Sequence, residues 1–140
     1  MLAEVRSRVP GGVAGLPTVL VELSQERTTL RELIRLAVTE QVAELRANAA
    51  KCRQLLDRQY TTHADVAAAA DRGTIKLPGR AIAAAEPNVH AEVERALRAF
   101  ERRTFVVFSG GRQVEKLDEE LTIRLGEPVV FLRLTALVGG

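Results

Sequence analysis

The sequence has few of the residues on which many catalytic and metal sites depend. There is one cysteine, Cys52, no tryptophan, and only 4% aromatic residues. A single cysteine allows no internal disulfide and indicates a reducing compartment. Cys52, His63 and His90 are irregularly spaced, so they do not form a metal-binding pattern, and we expect Cys52 to be a core residue.

Long apolar runs and an excess of one charge are also lacking. No stretch approaches the 18 apolar residues of a membrane span, and Glu4, Arg6 and Arg8 interrupt any signal-peptide core. The 20 basic and 18 acidic residues are dispersed, which leaves no basic patch for nucleic acid. We therefore expect a cytoplasmic protein with neither a membrane nor a nucleic-acid partner. The turn-forming segment at 10–15, PGGVAG, lacks the phosphate-loop pattern and precedes a strand.

The sequence does contain enough hydrophobic residues, 46% of 140, to form a core. Its length suits one domain, or one domain with an additional segment. Alternating residues at 2–9 and 18–26 predict two strands of an antiparallel hairpin. A helix follows, because Thr29 and Glu32 form a capping-box pattern. Its apolar residues recur at intervals of three and four, which gives one apolar stripe from Leu30 to Leu45.

The same spacing continues to Tyr60, which would give a helix of about 45 Å. A small sheet is only about 20 Å long, so the second half of this helix must project beyond the sheet, or the helix must break near Asn48 and fold back.

A short helix is predicted at 61–73, with a Thr62 cap and a Gly73 stop, and a loop is predicted at 75–80. Pro87 and Asn88 introduce another helix, with Val89, Val93, Leu97 and Phe100 on its apolar face and Glu92, Glu94, Arg95, Arg98 and Arg102 mostly on the opposite face.

Strand signals return from residue 104. An apolar strand, a glycine turn and a return strand occupy 104–114, and a polar connection follows with Leu117, Leu121 and Ile123 as anchors. The last strand is VVFLRL, at 129–134. We expect Val130 and Leu132 to face the core, which would leave Phe131 and Arg133 outward as a contact patch.

Three stretches resemble the ubiquitin-like superfamily, which includes ubiquitin and the small sulfur carriers of thiamine and molybdenum-cofactor synthesis. Residues 18–38, TVLVELSQERTTLRELIRLAV, resemble the second strand, Thr-initiated turn and helix. Residues 105–121, FVVFSGGRQVEKLDEEL, resemble the later strand, turn and spaced leucine. Residues 125–140, LGEPVVFLRLTALVGG, resemble the last strand and the apolar tail that ends in Gly-Gly.

This resemblance implies an α+β fold, the ubiquitin-like β-grasp, in which a mixed sheet of four to five strands packs on a helix. The β-grasp domain would comprise residues 1–46 and 104–140. Residues 47–103 would be a helical insertion, since the compact relatives have a short loop at that point.

The resemblance also implies that the chain is a substrate of enzymes rather than an enzyme. Gly139 and Gly140 would form the activation site, because a partner adenylating enzyme of the ubiquitin-activating type uses ATP to activate the terminal carboxylate. Glycine lacks a Cβ, which suits a narrow catalytic channel. The chain itself would bind no cofactor. Phe131, Arg133, Leu137 and Val138 are the predicted docking residues, whereas Leu134 could equally end the strand in the core.

Three functions stay open. A sulfur carrier would pass sulfur, as a thiocarboxylate, to a sulfur acceptor enzyme. The ending of this chain, ALVGG, is closer to the tail of the sulfur carriers than to the Arg-rich tail of ubiquitin. A protein modifier would be joined through Gly140 to lysines of target proteins. A third possibility is an interaction module that acts through the helical insertion, since a fold does not fix a function.

Overall fold

A computed structural model describes residues 1–71 and 88–134 of the chain. Over these residues the structure is α+β, with a five-stranded mixed sheet, a two-stranded sheet and four helices. In chain order the elements are β1 (Leu2–Arg8), β2 (Val19–Glu22), β3 (Arg27–Thr29), α1 (Leu30–Glu44), α2 (Ala49–Tyr60), α3 (His63–Asp71), α4 (Val89–Glu101), β4 (Phe105–Ser109), β5 (Arg112–Val114), β6 (Glu120–Thr122) and β7 (Val129–Arg133).

The main sheet has the strand order β2-β1-β7-β4-β5. β1 and β2 form the predicted antiparallel hairpin, with Ala3 opposite Val21. β7 lies parallel to β1 and antiparallel to β4, so the last strand is the central one. β4 and β5 are joined at Gly110 and Gly111, which both have positive φ, as a tight two-residue hairpin turn requires.

The second sheet pairs β3 with β6. The three predicted anchors of the polar connection, Leu117, Leu121 and Ile123, are all buried. The strand β6 itself was not predicted, because it is only three residues long and two of them are polar. Its pairing depends on β3, which is distant in the sequence.

Helix α1 begins at the predicted cap, where the Thr29 hydroxyl accepts a hydrogen bond from the Glu32 amide at 3.2 Å. The helix ends at Glu44, and α2 begins after Asn48, whose side chain accepts from the Lys51 amide at 3.0 Å. Asn48 therefore starts a new helix, and the alternative of a break near this residue is confirmed.

The remaining helices also begin at caps. Thr62 and Asp65 exchange two hydrogen bonds of 3.0 Å at the start of α3, and Asn88 caps α4. The predicted stop at Gly73 and the loop at 75–80 lie outside the described residues. α4 ends at Glu101, Arg103 follows with a φ of 60°, and the Thr104 amide donates to the Ala99 carbonyl at 2.9 Å. This left-handed residue turns the chain from α4 into β4.

All the helices that contribute to the core lie on one face of the main sheet. α1 packs on β2, α4 packs on α1 and β4, and α2 packs on α4. The segment 47–103, predicted as an insertion, supplies side chains to the same hydrophobic core as the strands and α1. The largest of these are Leu55, Leu56, Tyr60, Leu97 and Phe100. Of the helices within the described ranges, none is both long and apolar enough to cross a membrane.

Candidate functional site

The candidate site is the end of β7, from which residues 135–140 continue. Both neighbours of β7 hold this strand by backbone pairing, with Arg8 opposite Leu132 on one side and Phe105 opposite Arg133 on the other. The Leu134 amide donates to the Thr104 carbonyl at 3.1 Å, whereas the Leu134 side chain is 50% exposed. Leu134 therefore leaves the core, which excludes the alternative of a buried strand end.

The side chains of β7 face the opposite way from the prediction. Phe131 is fully buried and Arg133 is 2% exposed, whereas Val130 and Leu132 are half-buried on the other face of the sheet. The prediction that Phe131 and Arg133 point outward is therefore wrong. Both alternate sets of side chains on this strand contain large apolar residues. The sequence therefore predicts a strand but does not show which of the two sets faces the core.

The phase is decided by an aromatic cluster between the sheet and the helices. The Phe131 ring lies 5.5 Å from that of Phe105, which also contacts Tyr60 at 5.4 Å and Phe100 at 5.8 Å. Tyr60 and Phe100 belong to α2 and α4. Phe105 thus links the Phe131 ring to aromatic side chains of α2 and α4, an arrangement that could not be read from the sequence.

Arg133 ends the strand on the same, helix-covered side. Its burial lowers the pKa of the guanidinium from the ordinary value, because the charged form is less well solvated there. The other predicted site residues, Leu137, Val138, Gly139 and Gly140, lie outside the described residues.

The face of the sheet away from the helices carries an apolar patch, which we call the outer face. It is formed by four half-buried side chains on the two central strands: Val106, Phe108, Val130 and Leu132.

Strand pairing sets the outer face in two rows. Arg6, Val130 and Phe108 are aligned in one, and Arg8, Leu132 and Val106 in the other. Arg6 is paired with Glu4 at 2.9 Å, whereas Arg8 is exposed. A depression of about 260 Å³ lined by Leu2, Leu20 and Pro128, among others, adjoins this patch. The sheet thus presents an apolar surface bordered by arginines.

A chain of buried polar groups crosses the core beneath β7. Tyr60 donates to the Gln41 side-chain oxygen at 2.8 Å, and the Gln41 amide nitrogen donates to the Ser7 hydroxyl at 3.0 Å. The neighbouring Gln59 donates to the main-chain oxygen of Phe131 at 3.2 Å. These bonds connect α2 with α1, β1 and β7. No sequence signal identified Gln59, because a lone glutamine on a helix usually faces solvent.

An ionic network joins α2 to α4. Arg95 contacts Asp57 at 2.7 Å and Glu92 at 2.8 Å, and Arg53 contacts both carboxylates from the other side. Glu92 is 6% exposed, so the charged side of α4, predicted to lie mostly opposite its apolar face, is partly buried. The two arginines neutralise it, which allows a carboxylate to be buried. Opposite charges at i,i+4 on α2 and i,i+3 on α4 are the signal that could have indicated this contact.

Catalytic and metal-binding groups are sparse. Cys52 is buried in the core as predicted, and its burial raises the pKa of the thiol. Within residues 1–71 and 88–134, no three His, Cys, Asp or Glu side chains are grouped so that they could hold a metal ion.

The chain was also compared with known proteins. It matches no protein-family model, no curated protein and no solved structure.

Proposed function

We propose that this chain is a ubiquitin-like β-grasp carrier protein whose Gly140 carboxylate is adenylated by a partner activating enzyme and converted to a thiocarboxylate for sulfur transfer. The observation that supports this proposal is the place of β7 in the sheet. It lies in the centre, parallel to β1, and the residues that resemble a sulfur-carrier tail follow it. A five-stranded mixed sheet packed on α1 agrees with the β-grasp that the sequence resemblance implies.

The proposed reaction needs little from the chain beyond an accessible carboxylate. The Gly140 carboxylate attacks the α-phosphorus of ATP in the partner enzyme, which releases pyrophosphate and leaves an acyl-adenylate. A hydrosulfide ion then attacks the acyl carbon and displaces AMP, and loss of the remaining S–H proton gives the thiocarboxylate. A side chain at residue 139 or 140 would obstruct a narrow channel, whereas glycine passes through it.

The outer face is the surface we assign to docking of the activating enzyme. Phe131 and Arg133 are buried and are replaced in this role by Val130 and Leu132, with Val106 and Phe108 beside them. Covering such side chains is favourable by about 25 cal/mol per Å² of apolar surface. The exposed Arg8 at the border favours a partner with acidic groups around an apolar centre.

The proposal is tested by intact-mass spectrometry of the purified chain after incubation with a lysate of its source organism, ATP and sulfide. The starting mass first establishes that Gly140 carries a free carboxylate. Replacement of one oxygen by sulfur at the C-terminus is the expected product, and a chain without Gly140 should give none. A Gly-Gly remnant on lysines of other proteins would support the modifier instead. An unchanged C-terminus in every condition would contradict both.

Docking is tested separately with two matched substitutions. Leu132→Glu places a charge in the outer face and is expected to reduce the yield of thiocarboxylate at least tenfold, because an unpaired charge is buried on docking. Leu125→Glu makes the same change at a leucine that is 79% exposed in the turn before β7. Equal yields from the two variants would contradict the assignment of the docking surface, but not the activation of Gly140.

A further inference from the structure

Helix α2 contacts the main chain of β7 through the side chain of Gln59. The Gln59 amide nitrogen donates to the Phe131 carbonyl at 3.2 Å, and Gln59 is fully buried. This contact lies three residues before Leu134, whose amide is bonded to the Thr104 carbonyl. Gln59 therefore holds the last strand just before the chain leaves the sheet.

The same side chain carries an unfavourable feature. A carbonyl only accepts hydrogen bonds, so the Gln59 nitrogen must face Phe131 and the Gln59 oxygen is turned into the core. That oxygen is buried without a hydrogen-bond partner among the residues that the structure describes. A buried acceptor without a donor is destabilising, and the penalty disappears when water reaches the group. The seated position of α2 is thus weakened at the point where α2 holds β7.

We propose that α2 is a latch for the end of β7, by which we mean a helix that fixes the strand end when seated and releases it when lifted. In the seated state Gln59 bonds the Phe131 carbonyl and the end of β7 is fixed. In the lifted state water hydrates the Gln59 amide and the end of β7 loosens. The latch controls the base of the segment that contains Gly139 and Gly140. It concerns the fold alone, so it stands whether or not Gly140 is activated.

Amide hydrogen exchange of the full chain, measured residue by residue by NMR, tests the latch with the variant Gln59→Leu. Leucine fills the site without a donor for Phe131 and without an unpaired oxygen. We expect the Leu134 amide to exchange about fivefold faster, as loss of one hydrogen bond predicts. We expect amides within α2, such as that of Leu56, to exchange at the same rate or more slowly, because the helix no longer buries an unpaired acceptor.

The matched control is Gln54→Leu, which makes the same change at an exposed position of the same helix and should leave both amides unchanged. The opposite responses of Leu134 and Leu56 separate a latch from a loss of packing, which would accelerate both. Acceleration of both amides in Gln59→Leu would overturn the proposal. An unchanged Leu134 rate would overturn it as well, since Gln59 would then not hold the strand end.

Discussion

The contact of α1 with the sheet and the contact of α2 with α4 are built from different chemistry. α1 meets the sheet through fully buried aliphatic side chains, among them Leu30, Leu33 and Ile34. α2 meets α4 through the ion pairs of Arg53 with Glu92 and of Asp57 with Arg95. A buried charged group must be aligned with its partner, because an uncompensated buried charge is strongly destabilising. The placement of α2 on α4 therefore depends on matched charges as well as on the shared hydrophobic core.

The largest effect is expected where the two regions meet. Phe131→Ala removes the ring between β7 and the aromatic cluster and should lower the free energy of unfolding by about 3–5 kcal/mol. Val130→Ala shortens the neighbouring side chain on the outer face and should cost about 1 kcal/mol, because that side chain is half-buried. Urea unfolding measures both. Similar losses would mean that the helices do not cover the inner face.

The ionic network gives the next largest effect. Glu92→Gln removes the carboxylate between Arg53 and Arg95 and should cost about 2–3 kcal/mol, less than for a fully buried pair because Arg53 is 37% exposed. Glu94→Gln on the exposed side of α4 is the control and should change stability little. Thermal unfolding of the two variants compares them directly. A Glu92 variant as stable as the Glu94 variant would show that apolar contacts alone hold the two helices together.

The polar chain beneath β7 should contribute less. Tyr60→Phe keeps the ring against Phe105 but leaves the Gln41 oxygen without its donor, at a cost of about 1–2 kcal/mol. Chemical denaturation followed by circular dichroism measures this loss in both proteins. Tyrosine absorbance gives a second signal for the wild type only, because Tyr60 is the single tyrosine of the chain. A variant with unchanged stability would show that water replaces the Tyr60 hydroxyl.

The smallest effect is expected at the exposed start of α1. The hydrogen bond from Arg35 lowers the pKa of Glu32, so the folded state favours the ionised carboxylate. This contribution is present above the unfolded pKa of about 4.3 and is lost as the pH falls through the lower folded pKa. The stability difference between wild type and Glu32→Gln should be below about 0.5 kcal/mol at pH 7 and should shrink in acid. A difference that grows below pH 4 would contradict the sign.

Individual strands, helices and helix caps of this chain could be predicted because they depend on residues that are close in the sequence. The hairpin of β1 and β2 and the Thr29 cap follow from spacing and from capping chemistry, which act within a few residues. The break near Asn48 is one of the two arrangements that the length of the apolar pattern allows. These features place α1 against the sheet without knowledge of distant contacts.

The facing of β7 and the burial of Glu92 depend instead on residues far along the chain. Phe131 is buried against Phe105, which in turn packs against Tyr60 and Phe100, and those residues come from three other elements. Glu92 is buried because Arg53 lies opposite it. Either strand phase satisfies the apolar pattern at 129–134, so only the tertiary contacts select one.

The decisive measurement is the mass of the C-terminal peptide after incubation of the chain with ATP, sulfide and a lysate of the source organism. If Gly140 is activated for sulfur transfer, sulfur replaces one oxygen of its carboxylate, and no such product forms when ATP is omitted. Sulfur carriers of the same lysate provide the positive control. An unmodified Gly140 in a lysate whose own carriers become thiocarboxylated would show that this chain is not a sulfur carrier.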